Sequence, residues 1–380
     1  MDANIDPLQP AKQGMSPLVG VKAEPDQDTK PPMPLAGTPQ QSAEPAAVAT
    51  PGPMADEILL APRHSGDVIV VLTDGSAVRV HSAVLSLASF EFEDMLGQAE
   101  RSAETPQEVG LPDDPEGMIM LLKTIHMHSM IDAGSYSAGD ISLKLARMSA
   151  VASKYECTAQ VTPAVEAIMF RGVNTWSMSS FDVVTTMNVY AQLATAAYNL
   201  GMDVLFNHYT RRLVLDATTS FTEIQEIEGC SQLPTSVILG LEDQRSALRE
   251  ELIATISART NGKCQAPGCS QYSTSGTFTG HITRRLSIPH WPPPWTSTTL
   301  RSLLQKFKKT GDVQLGHTYP ICQHKINPQV ISQKTLTTIC KSVDDHARGL
   351  CLTCVKEGKS QSRCPHVEDI IVYQLKDWFS

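Results

Sequence analysis

The sequence predicts an α+β protein, on three observations. A strand–turn–strand–helix pattern occupies Gly66 to Leu96, helix-periodic apolar stripes without strand-like alternation fill residues 176–258, and most of the cysteines lie in the last third. These divide the chain into a Pro-rich tail (1–55), a module of strands capped by helices (56–175), a helical extension (176–258) and a basic Cys/His-rich region (259–380).

Asp67-Val68-Ile69-Val70-Val71-Leu72 is rich in β-branched residues, and Thr73-Asp74-Gly75-Ser76 holds an Asp-Gly pair suited to a two-residue hairpin turn. In the second strand, alternation directs Val78 and Val80 to a core and Arg79 and His81 away from it. Ser82 is read as the N-cap of a helix over 83–89, with Phe90, Phe92, Met95 and Leu96 continuing its buried face. A strand end follows at Glu108–Pro112, then a helix from about Asp114, with Pro115 in its first turn, to His128. His126 and His128, two positions apart on a helix, point in different directions, which argues for ordinary packing over metal binding. Thr162-Pro163 is read as restarting a helix with Val165, Ile168 and Met169 on its apolar side. In the extension, one helix ends at Gly201, a second carries Met202, Leu205, Phe206, Leu213 and Val214, and a third carries Ile238, Leu241, Leu248, Leu252 and Ile256.

The opening pattern resembles the start of the BTB/POZ domain. Asp67 matches that family's acidic residue beside the first strand, Arg79-Val80-His81 its basic–apolar–His run, and Leu85 to Phe90 the helix and aromatic that follow. The stretch from Leu145-Ala146 to Lys154-Tyr155-Glu156-Cys157 is similar to a helix end found in many BTB chains, especially fungal ones. The resemblance implies a domain that self-associates as a homodimer or binds another protein, with Asp67, Arg79 and His81 near its partner-binding groove. It thus implies an interaction adaptor or scaffold, transcription-linked or acting as a substrate adaptor of a cullin-type ubiquitin ligase. Against the ligase role, the only apolar residue standing two positions before a glutamate between Met95 and Val109 is Pro106. Within the strand module itself, the alternative for Asp67 and Arg79 is an ion pair beside the hairpin, of small worth.

Charge is distributed unevenly. Residues 1–258 hold 15 Lys/Arg against 33 Asp/Glu, whereas residues 259–380 hold 16 against 7, so the two regions are expected to meet different partners. The first 55 residues contain eleven of the 25 prolines and neither aromatic nor cysteine, a composition expected to stay disordered. Within them Val21-Lys22-Ala23-Glu24 fits a SUMO-attachment pattern, with a solvated linker as the alternative. No apolar run reaches the ~18 residues of a membrane span, and no signal peptide is evident, so an intracellular protein of nucleus or cytoplasm is expected, without a membrane. Nine cysteines there are expected as thiols or metal ligands.

Cys351-Leu352-Thr353-Cys354, followed by Cys364-Pro365-His366, has the spacing of a structural zinc site: one knuckle supplies two thiolates and a later Cys/His pair closes the tetrahedron. Unpaired thiols and a redox pair are the alternatives, the latter without a thioredoxin-like βαβ setting. A looser set, Cys264, Cys269, Cys322 and His324, would need a long segment to fold back, and Cys340 could join either set. Pro289 to Trp295 is a stiff aromatic-flanked proline run, suited to connecting or to docking on a Pro-binding module. Arg284, Arg285, Arg301, Lys306, Lys308 and Lys309 form the densest basic cluster, which with zinc ligands would suit a nucleic-acid-binding regulator. No nucleophile elbow, phosphate loop or His-Glu-x-x-His motif is present, and a non-enzyme is expected.

Overall fold

The computed structural model describes residues 57–97, 102–130, 137–175, 183–260, 284, 298–315, 329–359, 361, 364 and 366. The Pro-rich tail with its Lys22 motif and the Pro289 to Trp295 run lie outside these. The described chain is mixed α/β, mostly helical, with a four-stranded sheet near its start.

The sheet is built from β1 (Ile58–Leu59), β2 (Val68–Val71), β3 (Ala77–Val80) and β4 (Gln107–Gly110) in the order β1-β3-β2-β4. The β2–β3 hairpin is antiparallel, and β1 and β4 add in parallel at either edge. Val68, Val70, Val78 and Val80 are fully buried, so the alternation of β3 acts as expected. The turn differs from the expected two-residue form. Leu72 N–H donates to Ser76 O at 2.9 Å, enclosing three residues with Gly75 at φ +83°, while Asp74 Oδ1 accepts from the Ser76 N–H. A three-residue loop of this kind needs its left-handed residue last, where glycine carries no Cβ penalty.

The expected single helix after β3 is two. The first, α1, covers Ser82–Ala88 and the second, α2, Phe90–Leu96, separated by Ser89 in an extended conformation. Ser89 breaks the run because its hydroxyl accepts from the Phe92 N–H and donates to Tyr155 O, which starts a new helix and ties it to the core. The break rotates the apolar face. Phe92 and Leu96 are buried, Phe92 stacking on Tyr155 at 4.7 Å, but Phe90 and Met95 face solvent, contrary to expectation. His81, not Ser82, is the N-cap of α1; the Ser82 hydroxyl instead donates to Asp67.

Helix α3 (Pro115–Ile125) is capped by Asp114, which accepts from the Gly117 N–H, and it ends three residues before the expected His128. After α4 (Ala138–Lys154), α5 runs through Thr158–Thr175 with Pro163 inside it, so Thr162-Pro163 does not restart a helix. The extension consists of α6 (Val183–Asn199), α7 (Asp203–Asp216), a 3-10 turn at Phe221–Glu226 and α8 (Thr235–Thr260). The five apolar residues expected on the α8 stripe are all buried.

Beyond residue 297 the described elements are α9 (Leu300–Lys309), a hairpin of β5 (Val313–Leu315) and β6 (Gln329–Ile331), α10 (Gln333–His346) and the short α11 (Leu352–Lys356). Helices α9 and α10 pack on each other, α9 also on α7 and α10 on α8. Leu303, Phe307, Leu336, Val343, Leu350 and Val355 belong to the same continuous core as the sheet and α3 to α8. Among the described residues no helix is long and apolar enough to cross a membrane.

Candidate metal centre

The four residues Cys351, Cys354, Cys364 and His366 converge, their donor atoms all within 4.8 Å of one another. His366 Nδ1 lies 3.7 Å from Cys351 Sγ, 3.7 Å from Cys354 Sγ and 3.8 Å from Cys364 Sγ, and Cys354 and Cys364 Sγ are 3.3 Å apart. Metal–sulfur bonds of about 2.3 Å and metal–nitrogen bonds of about 2.0 Å in a tetrahedron give edges of roughly 3.5–3.8 Å, so these donors surround a cavity that could hold one metal ion.

Local chemistry builds the knuckle. Cys351 caps α11, and its carbonyl accepts from the Val355 N–H, so the helix turn carries Cys354 back beside it. Gly358, at φ +65°, reverses the chain, and the Lys359 N–H donates to Cys354 O at 2.8 Å. The Gln361 side chain then clasps the Cys351 backbone from both sides: Oε1 accepts from its N–H at 2.8 Å and Nε2 donates to its carbonyl at 3.3 Å. That clasp brings the following Cys364 and His366 round to the first pair. Cys351 and Cys354 are almost fully buried, Cys364 and His366 partly.

Burial raises both buried thiols. Cys354 is pushed up to about 12, first by desolvation and then by the neighbouring Cys364 and Cys351 thiols; Cys351 rises for the same first reason. Cys351 and Cys354 are therefore packed where neither thiol readily ionises alone. A dication bound at their centre would reverse that balance, because it would supply the positive charge that the buried sulfurs lack.

The knuckle is seated on α7 by a polar stripe that reading the sequence missed. Arg211 donates from Nε to Ala347 O at 2.6 Å and from a terminal nitrogen to Asp344 O at 3.0 Å. Thr210 Oγ1 accepts from the Leu350 N–H at 2.8 Å, and Asn207 Nδ2 donates to Leu350 O at 3.4 Å. The signal was present as Asn207, Thr210 and Arg211 at i, i+3 and i+4, one face of a helix. Cys340 lies elsewhere, buried in α10 with its thiol raised to about 11 by burial, and is no member of the cluster. Cys264, Cys269, Cys322 and His324 lie outside the described residues.

Near the sheet, the residues expected at a partner surface hold the fold. Asp67 accepts from the Ser82 N–H and hydroxyl at 2.8 and 2.5 Å. Arg79 pairs with Glu57 at 2.7 Å, both side chains about 12% exposed, and donates to Gly66 O. The His81 N–H donates to His126 Nε2 at 3.1 Å, and His126 Nδ1 sits 3.0 Å from Leu122 O, which assigns the proton to Nδ1. His128 bonds Leu60 O, so both histidines serve packing. Of the basic cluster, Arg301 pairs with Asp216 at 2.5 Å and Lys308 approaches Asp344 at 3.7 Å.

No protein-family model matches this chain, and no curated protein matches it.

Proposed function

We propose that this chain is a protein-interaction scaffold that self-associates, or binds a protein partner, through the corner between α1 and α2, with its C-terminal region held by structural zinc. The observation that carries the reading is the exposure of Leu87 and Phe90, 86% and 77% accessible, on either side of the Ser89 break. Large apolar side chains left exposed at the ends of two consecutive helices cost solubility unless a partner covers them. The likeness of the hairpin and helix ends to the BTB/POZ pattern points the same way. Internal pairing of Arg301 and Lys308 favours a protein partner over nucleic acid, since both cations already face carboxylates.

Three thiols and one imidazole with donor atoms within 4.8 Å of one another favour zinc over harder cations, which prefer oxygen ligands. All four donor positions are protein side chains, the closed arrangement of a structural site.

The test is sedimentation of the full chain. Wild type should form dimers at micromolar concentration, and Leu87→Asp with Phe90→Asp should be monomeric with unchanged helix content. A wild-type chain that stays monomeric at high micromolar concentration and captures no protein through this corner would defeat the reading.

A further inference from the structure

The three sulfurs of the metal centre differ in what can reach them. Cys351 and Cys354 are each 1% exposed, whereas Cys364 is partly open to solvent. Among the described residues Cys364 is the one cysteine in that position, since Cys157, Cys230 and Cys340 are also buried. The sulfurs differ too in how they are held. Cys351 caps α11 and Cys354 lies within it, while Cys364 stands outside any helix or strand, its N–H making a long 3.4 Å bond to Gln361 O. Cys364 Sγ is 3.3 Å from Cys354 Sγ. A disulfide holds its sulfurs about 2.0 Å apart, so a shift of about 1 Å on the non-helical side would join this pair. A metal-held sulfur is a thiolate, the form that peroxides oxidise, and an oxidant arriving from solvent meets Cys364 first.

We propose that Cys364 is an oxidation site at which hydrogen peroxide joins it to Cys354 and expels the metal, so that metal binding answers to the redox state of the surroundings. The inference rests on the structural-zinc reading and adds a means of releasing the ion. In the first step the Cys364 sulfur attacks one peroxide oxygen, the O–O bond breaks and hydroxide leaves, which gives a sulfenic acid on Cys364. In the second the Cys354 sulfur attacks the Cys364 sulfur, the S–O bond breaks, a second hydroxide leaves and the S–S bond forms. Two thiolates thereby lose two electrons, and both peroxide oxygens end as hydroxide, which solvent protonates to water. Cys351 and His366 remain, two donors where a structural site needs four. The new bond ties Cys354 to Cys364 as the metal did, and the Gln361 clasp engages only backbone atoms of Cys351, so the knuckle stays closed and a dithiol can restore the site.

The test treats the full chain, reduced and loaded with zinc, with hydrogen peroxide, while a chromogenic chelator reports released zinc and peptide mass spectrometry maps disulfides. Zinc release in step with a Cys354–Cys364 bridge is expected, and dithiothreitol followed by added zinc should reload the chain. Cys364→His keeps four nitrogen or sulfur donors but cannot form that bridge, so peroxide should release its zinc about tenfold more slowly than from wild type. A bridge between Cys351 and Cys354 ahead of any at Cys364, zinc lost without a bridge, or a Cys364→His rate equal to wild type would overturn the proposal. Should Cys364→His fail to load zinc, the bridge map in wild type decides alone. Zinc content before peroxide separates the two readings: a chain that never holds zinc defeats the metal reading and this one with it, whereas a loaded chain that peroxide leaves loaded and unbridged defeats the oxidation site alone.

Discussion

Gly349 lies so close to Asn207 that a Cβ added to it would stand 1.7 Å from the Asn207 carbonyl oxygen and 2.5 Å from its carbonyl carbon. The obstacle is helix backbone, which cannot swing aside as a side chain could. A glycine is thus required at the point where the linker into the metal knuckle crosses α7, so that Leu350 can reach Thr210 and Asn207.

Gly349→Ala should therefore part the linker from α7 and forfeit those hydrogen bonds together with the packing of Leu350. The expected cost is about 3 kcal/mol or more in urea unfolding, because backbone overlap and lost buried bonds add. Asn207→Ala, which removes only a long 3.4 Å bond, should cost about 1 kcal/mol. Equal costs for the two would show that the crossing is not sterically set.

Metal removal should act locally. Leu352 and Val355 of the knuckle are buried in the main core, so the segment does not depend on metal alone for its apolar contacts. Cys354→Ser should abolish stoichiometric zinc and raise amide exchange over residues 347–359, while exchange in β2, β3 and α4 stays as in wild type. Cys340→Ser should keep its zinc, because that thiol lies outside the cluster. Zinc retained by Cys354→Ser, or lost from Cys340→Ser, would contradict the ligand set.

How much of this was legible follows from how local each feature is. The four donors fall within Cys351 to His366, so spacing sufficed to group them. The β3 stripe and the α8 stripe were legible because periodicity is a property of neighbouring residues. The Ser89 break was hidden, since its decisive bond runs to Tyr155 O, 66 positions away, and the apolar pattern continues across it. The seat of the knuckle was hidden for the same reason: Arg211 meets Ala347 136 positions later, and the polar stripe of Asn207, Thr210 and Arg211 does not by itself name its partner. The roles of Asp67, Arg79 and Glu57 in bracing the hairpin likewise depend on tertiary pairing.

Stability should fall in mild acid. The His208 imidazole is pushed down to about 4, first by burial and then by the guanidiniums of Arg212, Arg211 and Arg301. His126 is also lowered, chiefly by burial. The folded state thus binds fewer protons than the unfolded chain, whose histidines titrate near 6.5. The contribution is fully present above pH 6.5 and is lost as pH falls toward 4, amounting to about 3 kcal/mol at most for His208. Urea midpoints between pH 7 and 4.5 should show the decline, and His208→Gln should flatten part of it. A His208→Gln slope identical to wild type would remove His208 as its source.

Asp67 offers the sharpest separation between a bracing role and a partner role. Its carboxylate accepts two bonds from Ser82, at 2.8 Å from the N–H and 2.5 Å from the hydroxyl, at the first turn of α1, where the helix leaves N–H groups unsatisfied. A negative charge there also meets the positive end of the helix. Asp67→Ala should cost about 1–2 kcal/mol, the range for a lost helix cap, and Asp67→Asn less, because the amide oxygen can still accept one of the two bonds. Leu87→Asp, at 86% exposure, should leave the urea midpoint near wild type when compared as monomers. If Asp67 only braces α1, self-association of Asp67→Asn measured well below its unfolding midpoint should equal wild type, while Leu87→Asp loses it. Loss of self-association in a fully folded Asp67→Asn would instead put the carboxylate in the partner interface, and the bracing account would be insufficient.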